Sequence, residues 1–239
     1  MADGEVERTL GELTLSIRRV PQEIWIRGSH RSRPSEPDDW MRWSVGPSDV
    51  FDLRPGLPDR PVVVSPEQPF NLPPRAEALV YVRLPLSVRL FRRDPAGAET
   101  VVAELPSLIL SDTWWGSHTE GELAYWLATT ARRSAPAEIF MPHLAICPLL
   151  LANLSTEALP VERFAIRTAH LTLFGHDEAL WTDEVHVRYQ GASEGSELRY
   201  TGEVPREAGH VTRIAPPRAA PPRRLHARTF GRLRALAGW

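Results

Sequence analysis

The chain has 239 residues, with 28 basic and 30 acidic side chains and a net charge of −2. Nucleic-acid binding requires a basic footprint, so this balance argues against nucleic acid as a ligand of the main fold. All the basic residues are arginine, and the absence of lysine excludes Schiff-base chemistry. The single cysteine, Cys147, allows neither an internal disulfide nor a cysteine-rich zinc site, which is typical of a reducing compartment. The polar, acidic start differs from a signal peptide and no apolar run reaches about 18 residues, so we expect a cytoplasmic protein.

Alternating polar and apolar residues dominate the first half of the chain. Residues 12–20 (ELTLSIRRV) and 23–29 (EIWIRGS) alternate with a period of two, which predicts an antiparallel pair of half-buried strands. Residues 62–66 predict a short strand. Residues 78–93 predict a long strand with a bend or bulge at Pro85, because proline cannot donate to a strand ladder.

The second half continues in the same style, and its sequence GHDEA (residues 175–179) favours a hairpin loop. The strands predicted here cover residues 122–132, 138–151, 164–174, 181–189, 197–204 and 211–214. From residue 223 onward the apolar residues fall near helical spacing, which predicts a C-terminal helix after a proline-rich arm. These apolar residues are Leu225, Phe230, Leu233 and Leu236.

Many short strands between proline and glycine turns, without βαβ alternation, predict an all-β fold. We expect an antiparallel β-sandwich, either one large or two fused sandwich-like lobes, with a C-terminal helix. The predicted divisions are an N-terminal β lobe (residues 1–105), a C-terminal sandwich lobe (106–215) and a Pro/Arg-rich arm with its helix (216–239). One continuous domain is the alternative.

The stretch DTWWGSHTEGELAYW (residues 112–126) holds three of the eight tryptophans. The alternating segments on both sides predict a hairpin with GSHTEG as its loop, in which Gly116 and Gly121 supply unusual backbone angles. Because neighbouring side chains of a strand point to opposite faces, at most one of Trp114 and Trp115 joins the core.

Acidic residues beside these rings allow a second interpretation of the hairpin. Glu120 and Glu122 are two residues apart and can share a face at about 7 Å, which lies within the range of inverting glycosidases. Any hairpin with acids shows the same pattern. The candidate ligand or interface residues are Trp114, Trp115, His118, Glu120, Glu122 and Trp126.

The order of the motifs in this part of the chain resembles a known family. PVVVSPEQPFNLP (61–73) precedes WWG and YW, and LLLANLSTEALPVERFAI (149–166) and LFGHDEALWTDEVHVRY (173–189) follow them. Over residues 62–214 the chain is similar to the uncharacterised family called domain of unknown function 432, although it has SHTEG where the family pattern has a basic residue or proline in the turn. The resemblance implies a β-rich domain with no assigned activity or catalytic residues. The family's association with genes beside small mechanosensitive channels implies a membrane-associated partner.

Three histidines lie in and around the predicted GHDEA hairpin. Two histidines with one carboxylate would suit zinc or non-haem iron, but the spacing lacks the tightness of a true metal motif. We therefore expect a solvated polar face, with no cofactor and no metal, and keep a metal site as the alternative. The residues of that alternative site are His170, His176 and His186.

The C-terminal arm is the one strongly basic segment of the chain. A helix docked on its own sheet, with its arginines in water, is one interpretation. A basic tail that meets an anionic membrane, a nucleic acid or an acidic partner is the other. The basic residues of the tail are Arg218, Arg223, Arg224, Arg228, Arg232 and Arg234.

These observations favour a non-catalytic binding or assembly module that has a protein partner, which could be a second copy of the chain. The first alternative is an enzyme or ligand-binding protein that acts on a glycan-like or small polar ligand near the hairpin of Trp114 and Trp126. The second alternative is an accessory protein that uses its basic tail at a membrane or on nucleic acid. The sequence contains no nucleophile-elbow or phosphate-binding motif that would favour catalysis.

Overall fold

The computed structural model describes residues 4–46, 49–133, 141–176, 179–191, 195–222 and 225–231. These residues form an all-β protein, which confirms the all-β part of the predicted fold class. The strands are β1 (Glu5–Leu10), β2 (Leu13–Val20), β3 (Glu23–His30), β4 (Met41–Ser44), β5 (Val50–Gly56), β6 (Val62–Pro66), β7 (Phe70–Leu72), β8 (Glu77–Pro85), β9 (Ser87–Arg93), β10 (Glu99–Pro106), β11 (Ser111–Trp115), β12 (Glu122–Ala131), β13 (Leu144–Asn153), β14 (Leu159–Val161), β15 (Arg163–Ile166), β16 (Leu173–His176), β17 (Ala179–Thr182), β18 (Val185–Gly191), β19 (Gly195–Tyr200), β20 (Thr212–Ala215), β21 (Leu225–Ala227) and β22 (Phe230–Gly231). Two short 3₁₀ helices cover Thr168–His170 and Arg206–Ala208. Within the described ranges, no helix has the length and apolar character needed to cross a membrane.

The predicted C-terminal helix is wrong over the residues that the structure describes. Leu225–Ala227 pairs with β19, and Phe230–Gly231 pairs with β15, both in antiparallel register. Pairing with existing sheet edges overrides the local helical spacing, which Gly231 had already weakened. Residues 223–224 and 232–239, with Leu233 and Leu236, lie outside the described residues.

The chain divides into two compact units, and neither is continuous in sequence. One unit contains Met1–Gly56 and Pro85–Ile109, and the other contains Leu57–Leu84 and Leu110–Trp239. The divisions predicted from the sequence follow chain order, after residues 105 and 215, whereas residues 57–84 belong with the later part of the chain. The reason is strand pairing, because β6, β7 and β8 pair with β12, β14 and β13, respectively.

The first unit contains two antiparallel sheets, with the strand orders β1-β2-β3-β4 and β10-β9-β5. The predicted pairing of the first two alternating segments is confirmed, since β2 and β3 run antiparallel over their full length. Their buried side chains Leu13, Leu15, Ile24 and Ile26 form one core cluster with Leu90 of β9. The core of this unit therefore takes side chains from both sheets.

The outer face of the four-stranded sheet carries a series of arginine–tryptophan contacts. The guanidinium of Arg42 lies 4.1 Å from the ring centroid of Trp25, and that of Arg27 lies 4.5 Å from Trp40. Arg18 lies 5.2 Å from Trp40 and 5.8 Å from Trp25. Cation–π contacts of this kind contribute about 0.5–1 kcal/mol each at exposed sites, so they attach the loop before β4 to the sheet.

The second unit contains three sheets. The first has five strands in the order β11-β12-β6-β15-β22, the second has eight strands, and the third pairs β14 with β7. β13 lies inside the eight-stranded sheet, where β17 and β18 flank it, both in parallel register. The single strands predicted over residues 181–189 and 164–174 are therefore wrong. Residues 181–189 belong to two strands, β17 and β18, on opposite sides of β13. Residues 164–174 are interrupted by the 3₁₀ helix at Thr168–His170.

Candidate functional site

The tryptophan hairpin forms as the sequence predicts. β11 and β12 pair antiparallel, with Trp114 opposite Leu123 and Trp115 opposite Glu122. Trp115 is 7% exposed and packs in a core cluster that includes Val63 and Ala124, whereas Trp114 is 53% exposed. The strand alternation therefore places one tryptophan inside and one outside.

The two glycines of the turn have different roles. Gly116 has a φ of +122°, a backbone conformation that side chains rarely adopt, so its predicted role is confirmed. Gly121 is not among the described glycines with positive φ, so its predicted backbone role is wrong. Instead, a Cβ at Gly121 would lie 2.1 Å from Nε1 of Trp114, which shows that the glycine makes room for the indole. That indole donates a hydrogen bond of 2.8 Å to the carbonyl of Ser117.

Trp115 connects the two ends of the five-stranded sheet. Its Nε1 donates a 2.8 Å hydrogen bond to the carbonyl oxygen of Arg228, which lies just before β22. Its ring also lies against Gly231, where an added Cβ would be 2.8 Å from Cη2. β11 and β22 are the first and last strands of this sheet, so the sheet curls until its two ends come within reach of one side chain.

A groove of about 850 Å³ lies at this junction. Its walls combine aromatic rings, glycine backbone and cationic side chains, and none of the described lining residues is acidic. The lining residues that define this aromatic groove are Trp114, Trp115, His118, Arg163, Tyr189, Arg228 and Phe230. Two of these rings contact each other directly, since the centroids of Tyr189 and Phe230 are 5.7 Å apart in an edge-on arrangement.

The structure separates the hairpin candidates into two groups. Trp114, Trp115 and His118 line the groove together. Glu120 is exposed in the turn, where its backbone N–H donates to the hydroxyl of Ser117, and it does not line the groove. Glu122 accepts a short hydrogen bond from Arg167 in an ion pair. The two acids and the rings therefore do not form the glycosidase-like arrangement.

Trp126 and Tyr125 lie away from the groove lining. Trp126 packs against the cluster that contains Trp115. Tyr125 donates a 2.9 Å hydrogen bond to Asp59, and burial, together with that carboxylate, raises the pKa of the phenol above its ordinary value. Both residues are therefore structural parts of the hairpin.

Sequence reasoning missed the second half of the groove. Arg163, Tyr189, Phe230 and the glycines at 191 and 195 belong to β15, β22 and the β18–β19 hairpin. They are distant from the tryptophans in the chain and share no motif with them. The pairing of β15 with β6 and β22 brings Arg163 and Phe230 to the tryptophan hairpin, and Tyr189 of β18 joins them through its ring contact with Phe230.

The histidine candidates have separate environments. His170 ends a 3₁₀ helix, and its ring centroid lies 5.3 Å from that of Tyr200. Nε2 of His186 lies 2.6 Å from a carboxylate oxygen of Glu184 on the neighbouring turn. His176 is the last residue of β16. In the part of the chain that the structure describes, no three His, Cys, Asp or Glu side chains are grouped as metal ligands.

The basic tail is partly docked on its own unit. Nε of Arg218 donates a 2.7 Å hydrogen bond to the carbonyl of Leu57, and Ala219 donates its N–H to Ala169. Arg228 is exposed and lines the groove. The other predicted tail arginines, Arg223, Arg224, Arg232 and Arg234, lie outside the described residues.

Cys147 and Asp183 are buried ionisable residues of the second unit that lie outside the groove lining. Burial raises the pKa of the Cys147 thiol to about 12, so the residue is an uncharged core side chain at neutral pH. Asp183 has no exposed surface and lies between β17 and β18. Its Oδ1 and Oδ2 accept hydrogen bonds from the backbone N–H groups of Thr172 (2.6 Å) and Gly202 (3.0 Å). These bonds tie three separate backbone segments together, which is a structural role.

Comparison with known proteins supports the family resemblance of the sequence. A model of the family described as "Protein of unknown function (DUF432)" matches residues 1–234. The chain belongs to this family. The match extends well beyond residues 62–214, over which the motifs resemble it, and includes both compact units. Searches of curated proteins and of solved structures each found no match.

Proposed function

We propose that this member of the DUF432 family is a non-catalytic β-sandwich module that binds a partner protein through the aromatic groove. The observation that carries the proposal is the composition of the groove, where four aromatic residues and two arginines meet and none of the described lining residues is acidic. Exposed aromatic and arginine side chains are the groups that contribute most to protein interfaces. Trp114, at 53% exposed, is the most accessible of these four aromatic residues.

The chemistry of the hairpin favours binding over catalysis. Glycoside hydrolysis needs a pair of carboxyl groups across the substrate. Of the two acids considered, Glu120 does not line the groove and Glu122 is bound to Arg167. Cys147 is fully buried, so its thiol is not accessible as a nucleophile. A cytoplasmic location and a membrane-associated partner remain parts of the proposal, supported by the single cysteine and the family resemblance, respectively.

Tryptophan fluorescence provides the test of the binding site. The full-length chain is titrated with peptides, nucleotides and sugars, and the emission change is compared with that of Trp114→Phe and Phe230→Ala. We expect one ligand to change the tryptophan emission of the unmodified chain, and this change should be lost in Trp114→Phe. Its affinity should fall about tenfold or more in Phe230→Ala, because an aromatic contact at a hot spot contributes about 1.4 kcal/mol or more to binding.

The matched control is Phe91→Ala, which removes a half-buried phenylalanine from the first unit. It should leave the affinity unchanged. Binding that survives both groove substitutions would place the site elsewhere, and the absence of binding by every ligand class would count against a binding module of this kind.

A further inference from the structure

The edge of strand β11 lines the aromatic groove. Residues 113–115 of β11 line it consecutively, and so do the two residues of β22, 230 and 231. Side chains of a strand alternate between its two faces, so one face can contribute only every second residue. Three consecutive lining residues therefore indicate that β11 presents its edge, rather than one face alone, to the groove.

A strand edge offers a row of backbone donors and acceptors. Within the described part of the chain, β11 ends its sheet and pairs with β12 alone. Such an edge is the template on which an extended peptide adds as a further strand, where backbone hydrogen bonds give affinity and flanking pockets hold alternate side chains. Trp114 and Trp115 flank this edge on the two faces of the sheet. Phe230 and Tyr189 also line the groove.

The charge of the groove selects among extended segments. Arg163 and Arg228 line it together with His118, and no described lining residue is acidic. Carboxylates of a bound segment would therefore meet guanidinium groups, which form strong, charge-assisted hydrogen bonds with them. The chain's own residues 232–239 contain Arg232 and Arg234 and no acidic side chain, so they carry the same charge as the groove.

We propose that the groove binds an extended, acidic peptide segment of a partner protein, which adds as a strand to the free edge of β11. This inference rests on the proposed binding function and names its ligand class. Glutamate or aspartate side chains meet the exposed Arg228, and the intervening apolar side chains meet the aromatic rings.

Fluorescence anisotropy with labelled peptides tests the proposal on the full-length chain. The probe is a peptide of about ten residues, near the upper length of a strand, with alternating glutamate and valine and blocked termini. Its first control replaces every glutamate with lysine. Two further peptides carry backbone N-methyl groups at the odd or at the even positions. Because alternate N–H groups face the neighbouring strand, one N-methylated series should lose binding and the other should retain it.

Charge reversal in the protein provides the second arm. Arg228→Glu should weaken binding of the acidic peptide roughly tenfold or more, since it replaces a charge-assisted contact by repulsion. Arg199→Glu is the matched control, because Arg199 is also exposed but lies on β19 outside the groove lining. It should bind the peptide as the unmodified chain does.

Several outcomes would overturn the inference. These are equal binding of the glutamate and lysine peptides, equal effects of the two N-methylated series, or full affinity in Arg228→Glu. If the acidic peptide fails to bind but another peptide binds and depends on Trp114 and Phe230, this inference is removed and the proposed function stays intact. Dimerisation in light scattering that Arg228→Glu abolishes, without peptide binding, would assign the edge to a second copy of the chain.

Discussion

The indole nitrogen of Trp115 lies 2.8 Å from the carbonyl oxygen of Arg228, although 113 positions separate the two residues in the chain. This hydrogen bond joins the two terminal regions of a five-stranded sheet, and both residues line the aromatic groove. The shape of the groove therefore depends on a buried ring that holds the sheet in its curled form.

Replacing Trp115 by phenylalanine should lower the free energy of unfolding by about 1 kcal/mol or somewhat more. The substitution retains an aromatic ring but removes the hydrogen bond to Arg228 and some packing volume. Chemical denaturation followed by circular dichroism measures the change. Trp114→Phe, at the exposed neighbouring position, should change stability by less than about 0.5 kcal/mol. Equal effects of the two variants would contradict the structural role of Trp115.

Gly231 should not tolerate a methyl group. In Gly231→Ala the new Cβ would lie 2.8 Å from Cη2 and 3.1 Å from Cζ3 of Trp115, whose ring is buried and hydrogen-bonded. We expect a loss of about 1–3 kcal/mol, the usual cost of overpacking a core. Gly46→Ala is the control, because its nearest neighbouring atom would be 3.5 Å away. Thermal unfolding of both variants compares them, and an unchanged melting temperature for Gly231→Ala would argue that the Trp115 ring is free to move.

Asp183 should make stability depend on pH in a direction opposite to that of most carboxylates. Burial raises its pKa above the ordinary value of 3.8, so between that value and its folded pKa the folded state binds more protons than the unfolded state. Stability contributed by this group is therefore lost as the pH rises through that window. The free energy of unfolding is measured from pH 3 upward for the unmodified chain and for Asp183→Asn. The decrease with rising pH that Asp183 causes should be present in the unmodified chain and absent in Asp183→Asn.

Asp183→Asn should also be less stable overall. An amide nitrogen cannot accept a hydrogen bond, so one of the N–H groups of Thr172 and Gly202 would lose its partner, at a cost of about 1–3 kcal/mol. The same denaturation series measures this loss. A variant as stable as the unmodified chain at every pH would show that the carboxylate is not needed to connect these segments.

Glu99 should contribute stability to the first unit with the opposite pH dependence. Hydrogen bonds from Arg54 and then Arg93 lower the pKa of Glu99 from 4.5 to about 2. A lowered folded pKa means that the stabilisation is present above about pH 4.5 and is lost as the pH falls through 2. Glu99→Gln should therefore lower the denaturation midpoint at pH 7 and have a much smaller effect near pH 2, where the folded carboxyl group is about half protonated. Exposed Glu36, converted to glutamine, is the control, and a difference for Glu99→Gln that is as large at pH 2 as at pH 7 would contradict the prediction.

The local sequence pattern was sufficient to predict the features that depend only on neighbouring residues in the chain. The period of two in residues 12–29 predicted the β2–β3 pair, and the same alternation predicted that Trp114 and Trp115 face opposite sides. These predictions succeed because the direction of a side chain on a strand follows from its position alone. The near-helical spacing of Leu225 and Phe230 led to the wrong prediction of a helix. The strands that form there, β21 and β22, pair with β19 and β15 and are only three and two residues long. Such short strands leave no alternation to recognise.

The sequence by itself determined an all-β chain, a tryptophan hairpin with one ring inside, and membership of the DUF432 family. Only the tertiary structure decided that β17 and β18 flank β13, that residues 57–84 join the later part of the chain, and that the groove is cationic and aromatic. The physical reason is that strand partners are chosen by burial and backbone hydrogen bonding across the whole chain. Arg163, Arg228 and Phe230 reach Trp115 through those pairings, and no local sequence pattern records them.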